Sequence, residues 1–228
     1  MFRFALLALL MLGFGSQSLA DDFRLLRLDG HLVKWGDPSW LSGARVTYSF
    51  TQTQTHFADA INCRTMVPLD GLLAKSGISD QEFERAIRRA FDRWEDAADL
   101  RFDYVEDPDA ADILIGAQGQ PRDIAYTNVW HAPAAQGEIA AITKATYCLN
   151  PDATWETTFD GDESTYDIER VATHEIGHAV GLDHPGPSGQ LMGYRYSETV
   201  NGLGPGDVLG ATRLYGSPRH ETFGSLPR

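Results

Sequence analysis

Long apolar runs are missing from this chain of 228 residues once its first twenty are passed. The one run it has, from Phe4 to about Phe14, supplies about 11 apolar residues where a bilayer span needs about 20. Arg3 precedes that run and the small residues Ser18 and Ala20 follow it, so MFRFALLALLMLGFGSQSLA has the three-part form of an export signal. Cleavage after Ala20 is expected, leaving a secreted or periplasmic protein without a membrane anchor. Basic charge is also scarce: 19 Lys and Arg stand against 32 Asp and Glu, for a formal net charge of −13. Such a chain repels phosphate backbones and anionic lipid, which makes nucleic acid a poor candidate partner. No internal repeat or low-complexity linker divides the sequence, so one domain with its own core is the economical reading.

Only two cysteines are present, Cys63 and Cys148. In an oxidising compartment an even pair defaults to one disulfide. Closing a loop of that length contributes about 4 to 5 kcal/mol in the chain-entropy model. Histidine is sparse as well, at seven residues, yet three of them fall in HEIGHAVGLDH, residues 174 to 184.

A helix turns about 100° per residue, so His174 and His178 stand one above the other and can grip one ion. Glu175 lies on the adjoining strip, able to reach a bound water or substrate without being a ligand. Gly181 suits the left-handed conformation that ends a helix, and the turn it permits can bring His184 round as a third nitrogen. Three imidazoles and one open position are the donor set of a catalytic zinc site, whereas a structural site is closed by four protein ligands. Surface histidines on an amphipathic helix are the alternative. At this chain's composition the full spacing H-E-x-x-H-x-x-G-x-x-H arises by chance roughly 3 times in 100,000, which decides for the motif.

The motif and its surroundings, YDIERVATHEIGHAVGLDHP, resemble the metzincin metalloproteases, most of all the matrixins and the serralysin branch. The resemblance implies a zinc endopeptidase in which His174, His178 and His184 bind one catalytic zinc and Glu175 is the general base. It also implies a Met-turn at Met192, eight residues beyond His184. Tyr194, two residues on, has the spacing at which serralysins and astacins place a tyrosine that ligates zinc or stabilises the oxyanion. A half-buried packing phenol is the other reading of Tyr194. Pro185 looks serralysin-like, while GLDH and the final RLYG look matrixin-like.

By the same resemblance ARVTYSF (44 to 50) is the first strand of the catalytic domain. Cys63 follows it, and INCRTMVP does not resemble the matrixin cysteine switch, whose segment precedes that strand. His131 is the only histidine between 57 and 173, so a second, structural zinc is not expected. The acidic FDGDES (159 to 164) is either a calcium loop or a solvated acidic loop. Neither glycine-rich calcium repeats nor a hemopexin-like extension is seen.

Residues 51 to 77 are mixed and read as loop-rich. SDQE at 79 to 82 has the form of a capping box, and Phe83, Ile87, Ala90, Trp94 and Ala97 then recur at helical spacing to about residue 98. LRFDYV, ADILIGA, AYTNVW and EIAAITKATYCL read as strands, the last long and apolar enough to lie inside a sheet. The site helix follows from about Asp167. Periodicity alone supports a mixed α/β domain. The resemblance implies more: a metzincin-like single domain with a twisted mixed five-stranded sheet and one antiparallel edge strand, a long helix, the site helix, and a small C-terminal subdomain. The expected organisation is a signal peptide (1 to 20), a short N-terminal segment that is a candidate pro-segment (21 to 43), the catalytic domain (44 to 216) and a tail (217 to 228). A monomer acting on extended polypeptide substrates is expected. A zinc-loaded binding or inhibitor module is the rival reading, and its mark would be loss of the base or of a ligand, neither of which has occurred.

Overall fold

The computed structural model describes residues 23–186 and 189–219; the expected export signal and the end of the expected tail lie outside them. Three short strands come first, β1 (Arg24–Leu25), β2 (Arg27–Leu28) and β3 (His31–Lys34), followed by β4 (Ala44–Phe50). The paired strands β5 (Thr55–His56) and β6 (Thr65–Val67) lead into helices α1 (Asp70–Ser76) and α2 (Asp80–Ala97). Next are β7 (Leu100–Tyr104), β8 (Ile113–Gln118), β9 (Ala125–His131) and β10 (Ala140–Leu149). After β11 (Trp155–Glu156) and β12 (Tyr166–Asp167) come α3 (Ile168–Ala179), β13 (Leu182–Asp183) and α4 (Pro205–Tyr215).

Five of these strands form the expected mixed sheet, in the order β7-β4-β8-β10-β9. The first four are parallel to one another, and β9 alone runs antiparallel, against β10. Burial explains the order: β8 is buried along its whole length and β10 from Ala145 to Leu149, as inner strands covered on both faces must be. β9, by contrast, is only half-buried except at Asn128, as befits an edge beside a cleft. Short strands extend the sheet, with β3 parallel to the start of β10 and β6 antiparallel to the end of β8. The stretch 51 to 77 is thus less irregular than its sequence suggests. Its strands have two and three residues, too few to show a period of two.

The capping box at α2 forms: Ser79 Oγ accepts from the Glu82 N–H at 3.3 Å, and Glu82 Oε2 accepts from the Ser79 N–H at 2.9 Å. Phe83, Ile87, Ala90, Trp94 and Ala97 face inward from this helix as the spacing predicts, and Phe91 is buried with them. Trp94 then ties it to the site helix, since its indole N–H donates to the Thr173 carbonyl at 2.9 Å. At the helix ends Glu169 of α3 pairs with Arg89 and Arg93 of α2. α3 is itself capped by Asp167, whose Oδ1 accepts from the Arg170 N–H at 2.6 Å.

From Phe23 onward the segment 21 to 43 is built into the same core. Trp35 is buried, its indole N–H donates to the Ala179 carbonyl at 2.8 Å, and its backbone N–H donates to the Tyr215 hydroxyl at 3.0 Å. That one residue therefore joins the N-terminal segment to the last turns of both α3 and α4, by its side chain and its backbone respectively. The expected disulfide between Cys63 and Cys148 is formed, fastening the loop before β6 to the inner strand β10.

Candidate active site

α3 stops where the sequence predicts. Its last residue is Ala179, and Gly181 adopts a φ of +96°, with the Val33 carbonyl oxygen so close that a Cβ would collide with it. The chain reverses there, and β13 carries His184 back toward the helix. His174 and His178, one turn apart, thereby meet the third imidazole: His184 Nε2 lies 3.1 Å from the Nε2 of each.

Two of the three rings have their orientation set by backbone carbonyls. His174 Nδ1 lies 2.9 Å from the Leu191 carbonyl oxygen and His178 Nδ1 lies 2.9 Å from that of Leu182. A carbonyl only accepts, so Nδ1 carries the proton in both rings and Nε2 presents a lone pair. Burial holds His174 and His178 below the usual imidazole range and takes His184 down to about 4, with neighbouring imidazoles adding in the same direction at His174 and His184. All three are thus neutral donors at pH 7. Lone pairs aimed at one another repel unless a cation stands between them. Nitrogens bound tetrahedrally at 2.0 to 2.1 Å sit about 3.3 Å apart, close to the spacing here, so this set fits a zinc ion with a side left open.

Glu175 is buried beside the triad. Its Oε2 accepts from Thr127 Oγ1 at 2.8 Å, and burial pushes its carboxyl up to about 7 against the opposing pull of that hydrogen bond. The residues meet in a cleft of about 1390 Å³, walled by β9 on one side and by α3 with Gly193–Tyr196 on the other. Asp59–Asn62 form one rim and Leu26–Asp29 another. Among the described residues the outer edge of β9 pairs with no strand, and it borders this space.

Met192 is buried, and its side chain lies so close to Gly177 that a Cβ there would overlap the sulfur and approach Trp94 Cζ2 to 2.9 Å. The turn bearing Met192 is held by Asp207 in the first turn of α4. Its carboxylate accepts from the backbone N–H groups of Leu191 at 2.8 Å, Met192 at 3.2 Å and Gly204 at 2.8 Å. Since the Leu191 carbonyl in turn orients His174, Asp207 reaches the triad through one peptide. No motif in the sequence marks Asp207 or Thr127 for these roles.

Tyr194 lines the cleft but is 54% exposed, with its ring under the Arg195 guanidinium at 5.4 Å. Its hydroxyl has no hydrogen-bond partner among the described residues. His131, the isolated histidine, stands at the far end of β9 beside Asp29 and His31, away from the triad. Of the acidic loop 159 to 164, Asp160 meets Glu156 and the buried Glu198, their oxygens within 4.8 Å of one another.

A triad of neutral imidazoles beside a buried carboxylate, set under an antiparallel edge strand, is a donor set that a zinc ion fits. The matrixin family model matches residues 72–216, and the chain belongs to that family. Matrix metalloproteinase-16 of Mus musculus is 33% identical over 155 residues, covering 62% of this chain and 25% of that protein. Karilysin of Tannerella forsythia is 34% identical over 160 residues, 64% of this chain and 31% of its own length. Metalloendoproteinase 4-MMP of Arabidopsis thaliana is 32% identical over 160 residues, 65% and 44% respectively. The chain thus spans between a quarter and under half of the length of these relatives. No helix among the described residues is long and apolar enough to cross a membrane.

Proposed function

We propose that the chain is a zinc-dependent endopeptidase that cleaves extended polypeptides outside the cytoplasm, its first twenty residues acting as the export signal. The observation that carries the reading is the convergence of three imidazoles, with His184 Nε2 3.1 Å from the Nε2 of both His174 and His178, beside a buried carboxylate in a cleft along the outer edge of β9. Relatives named as metalloproteinases support it.

His174, His178 and His184 would hold the zinc, which when bound polarises the scissile carbonyl and eases deprotonation of the attacking water. Glu175 takes that proton and returns it to the departing amine, two steps for which a carboxyl held near neutrality is suited. β9 aligns the substrate by accepting it as an added strand, a mode that reads backbone rather than side chains and admits many sequences. The Tyr194 hydroxyl, which lines the cleft, supplies a donor to the charge that grows on the carbonyl oxygen.

Glu175→Gln tests this reading. It preserves the shape of the side chain and leaves the three histidines untouched, so zinc content should match the parent. Chelator-sensitive cleavage of a peptide library should fall by about 10² to 10⁴, the usual contribution of general acid and base catalysis. Loss of zinc along with activity would make Glu175 a ligand or a prop and end the mechanism. Unchanged cleavage would remove it from the reaction.

A further inference from the structure

The candidate base is held from the opposite wall of the cleft by a residue that no motif contains. Thr127 stands in the middle of β9, with Tyr147 of β10 as its register partner, and its side chain reaches across to α3. Its Oγ1 lies 2.8 Å from Glu175 Oε2 and 3.0 Å from the main-chain oxygen of the same residue. A hydroxyl has one proton, so only one of these oxygens receives it at a time. The ionised carboxylate wins that contest, because charge-assisted hydrogen bonds are roughly twice as strong as neutral ones.

The anchor is itself anchored. Asn128, the next residue, points to the other face of β9, where its Oδ1 accepts from the Asn62 N–H at 3.1 Å and its Nδ2 donates to Thr146 Oγ1 at 3.2 Å. The strand is therefore fixed on both faces at the point where Thr127 meets the base. A glutamate left to itself samples several rotamers, and an attacking geometry tolerates little of that.

We propose that Thr127 is the positioning residue for Glu175: its hydroxyl clamps Oε2 so that Oε1 is turned toward the reacting water. This rests on the reading of Glu175 as the base. Once Oε1 has taken the proton from the water, Oε2 is the carbonyl oxygen of the acid and still accepts from the Thr127 hydroxyl at 2.8 Å. The carboxyl is then held through both halves of the reaction without displacement of any heavy atom.

The experiment compares zinc-loaded Thr127→Val, Thr127→Ala and Thr127→Ser with the parent. Valine keeps the β-branch and loses only the hydroxyl, and alanine checks that the exchanged methyl does no harm of its own. Val and Ala should both lower kcat about 10- to 100-fold, the range for a hydrogen bond to a charged group, with KM within about twofold. Zinc content should be that of the parent, and Ser should restore most of the rate. In the Glu175→Gln background, Thr127→Val should cost nothing further, since the charge it serves is gone. Parent-like kcat in Val and Ala would overturn the proposal. So would a Ser variant as slow as Val, a loss confined to KM, or the same fold loss in the Gln background. Full activity in Glu175→Gln would instead refute the underlying reading of the base, a result distinguishable from a collapse there with Thr127→Val unaffected.

Discussion

Gly177 lies between the two helical histidines, and replacing it by alanine sets two effects of opposite sign against each other. Helix propensity favours alanine by about 1 kcal/mol in a helix interior. The added methyl, however, would overlap the Met192 sulfur and stand 2.9 Å from Trp94 Cζ2 and 3.0 Å from Met192 Cε. Neither neighbour yields freely: Trp94 is fully buried and bonded to the Thr173 carbonyl, and Met192 is buried on a turn that Asp207 holds by three backbone N–H groups. Overpacking of this kind costs about 1 to 3 kcal/mol, and with two rigid neighbours the upper end applies. The net expectation is a loss of about 2 kcal/mol, which for a domain of this size lowers Tm by about 4 to 8 °C. Because the methyl pushes on the turn whose Leu191 carbonyl orients His174, zinc affinity should fall as well. Calorimetry of the zinc-loaded and chelated forms measures both. A rise in Tm of a few degrees would show that propensity prevails and that the Gly177–Met192 contact is soft, refuting the packing argument.

Three further outcomes are expected. Tyr194→Phe removes the hydroxyl and keeps the ring; turnover should drop by roughly one to three powers of ten with KM little changed, and unchanged turnover would exclude the oxyanion role. Replacing Cys63 and Cys148 together by alanine opens a loop of sequence separation 85 and should lower unfolding free energy by about 4 to 5 kcal/mol in denaturant titration, whereas an unaltered midpoint would count against the chain-entropy account. Asp167→Asn supplies a pH test. Burial raises the Asp167 carboxyl to about 6 from 3.8, so the folded chain binds more protons than the unfolded one between those values. The stability this side chain contributes must therefore fall as pH rises across that window. Asparagine still caps the helix and does not titrate, so the parent should lose ground to the variant by up to about 3 kcal/mol between pH 4 and 6 and no more above about 6.5. A difference that is flat, or opposite in slope, would show that Asp167 keeps an ordinary pKa.

Much of the fold was legible because it rests on long, periodic or capped segments. Ser79 and Glu82 announced α2, the apolar run ending at Leu149 announced an inner strand, and Gly181 announced the end of α3. What the sequence hid was short or non-local. Strands of two or three residues such as β1 and β6 carry no readable period, and their pairing partners lie far along the chain: Arg24 pairs with Asp183, and Met66 with Gln118. The anchoring of the segment before residue 44 was hidden for the same reason. Its hold on the core depends on Trp35, whose partners, Ala179 and Tyr215, are 144 and 180 residues away.

The site divides along a similar line. Its candidate metal donors are side chains at fixed spacing, so five letters in eleven positions reveal them. The groups that make those donors usable are mostly backbone. The Leu191 and Leu182 carbonyls that fix the tautomers of His174 and His178 would be offered equally by any residue at those places, so no letter in the sequence records them. Asp207 and Thr127 are recorded, but as residues that elsewhere open helices or fill strands. Only the position of α4 under the Met192 turn, and of β9 across from α3, turns the first into a support for His174 and the second into a partner for Glu175. It follows that a substitution at Leu182 or Leu191 that keeps the backbone path should spare the metal, while one at Asp207, nowhere near the motif, should weaken it.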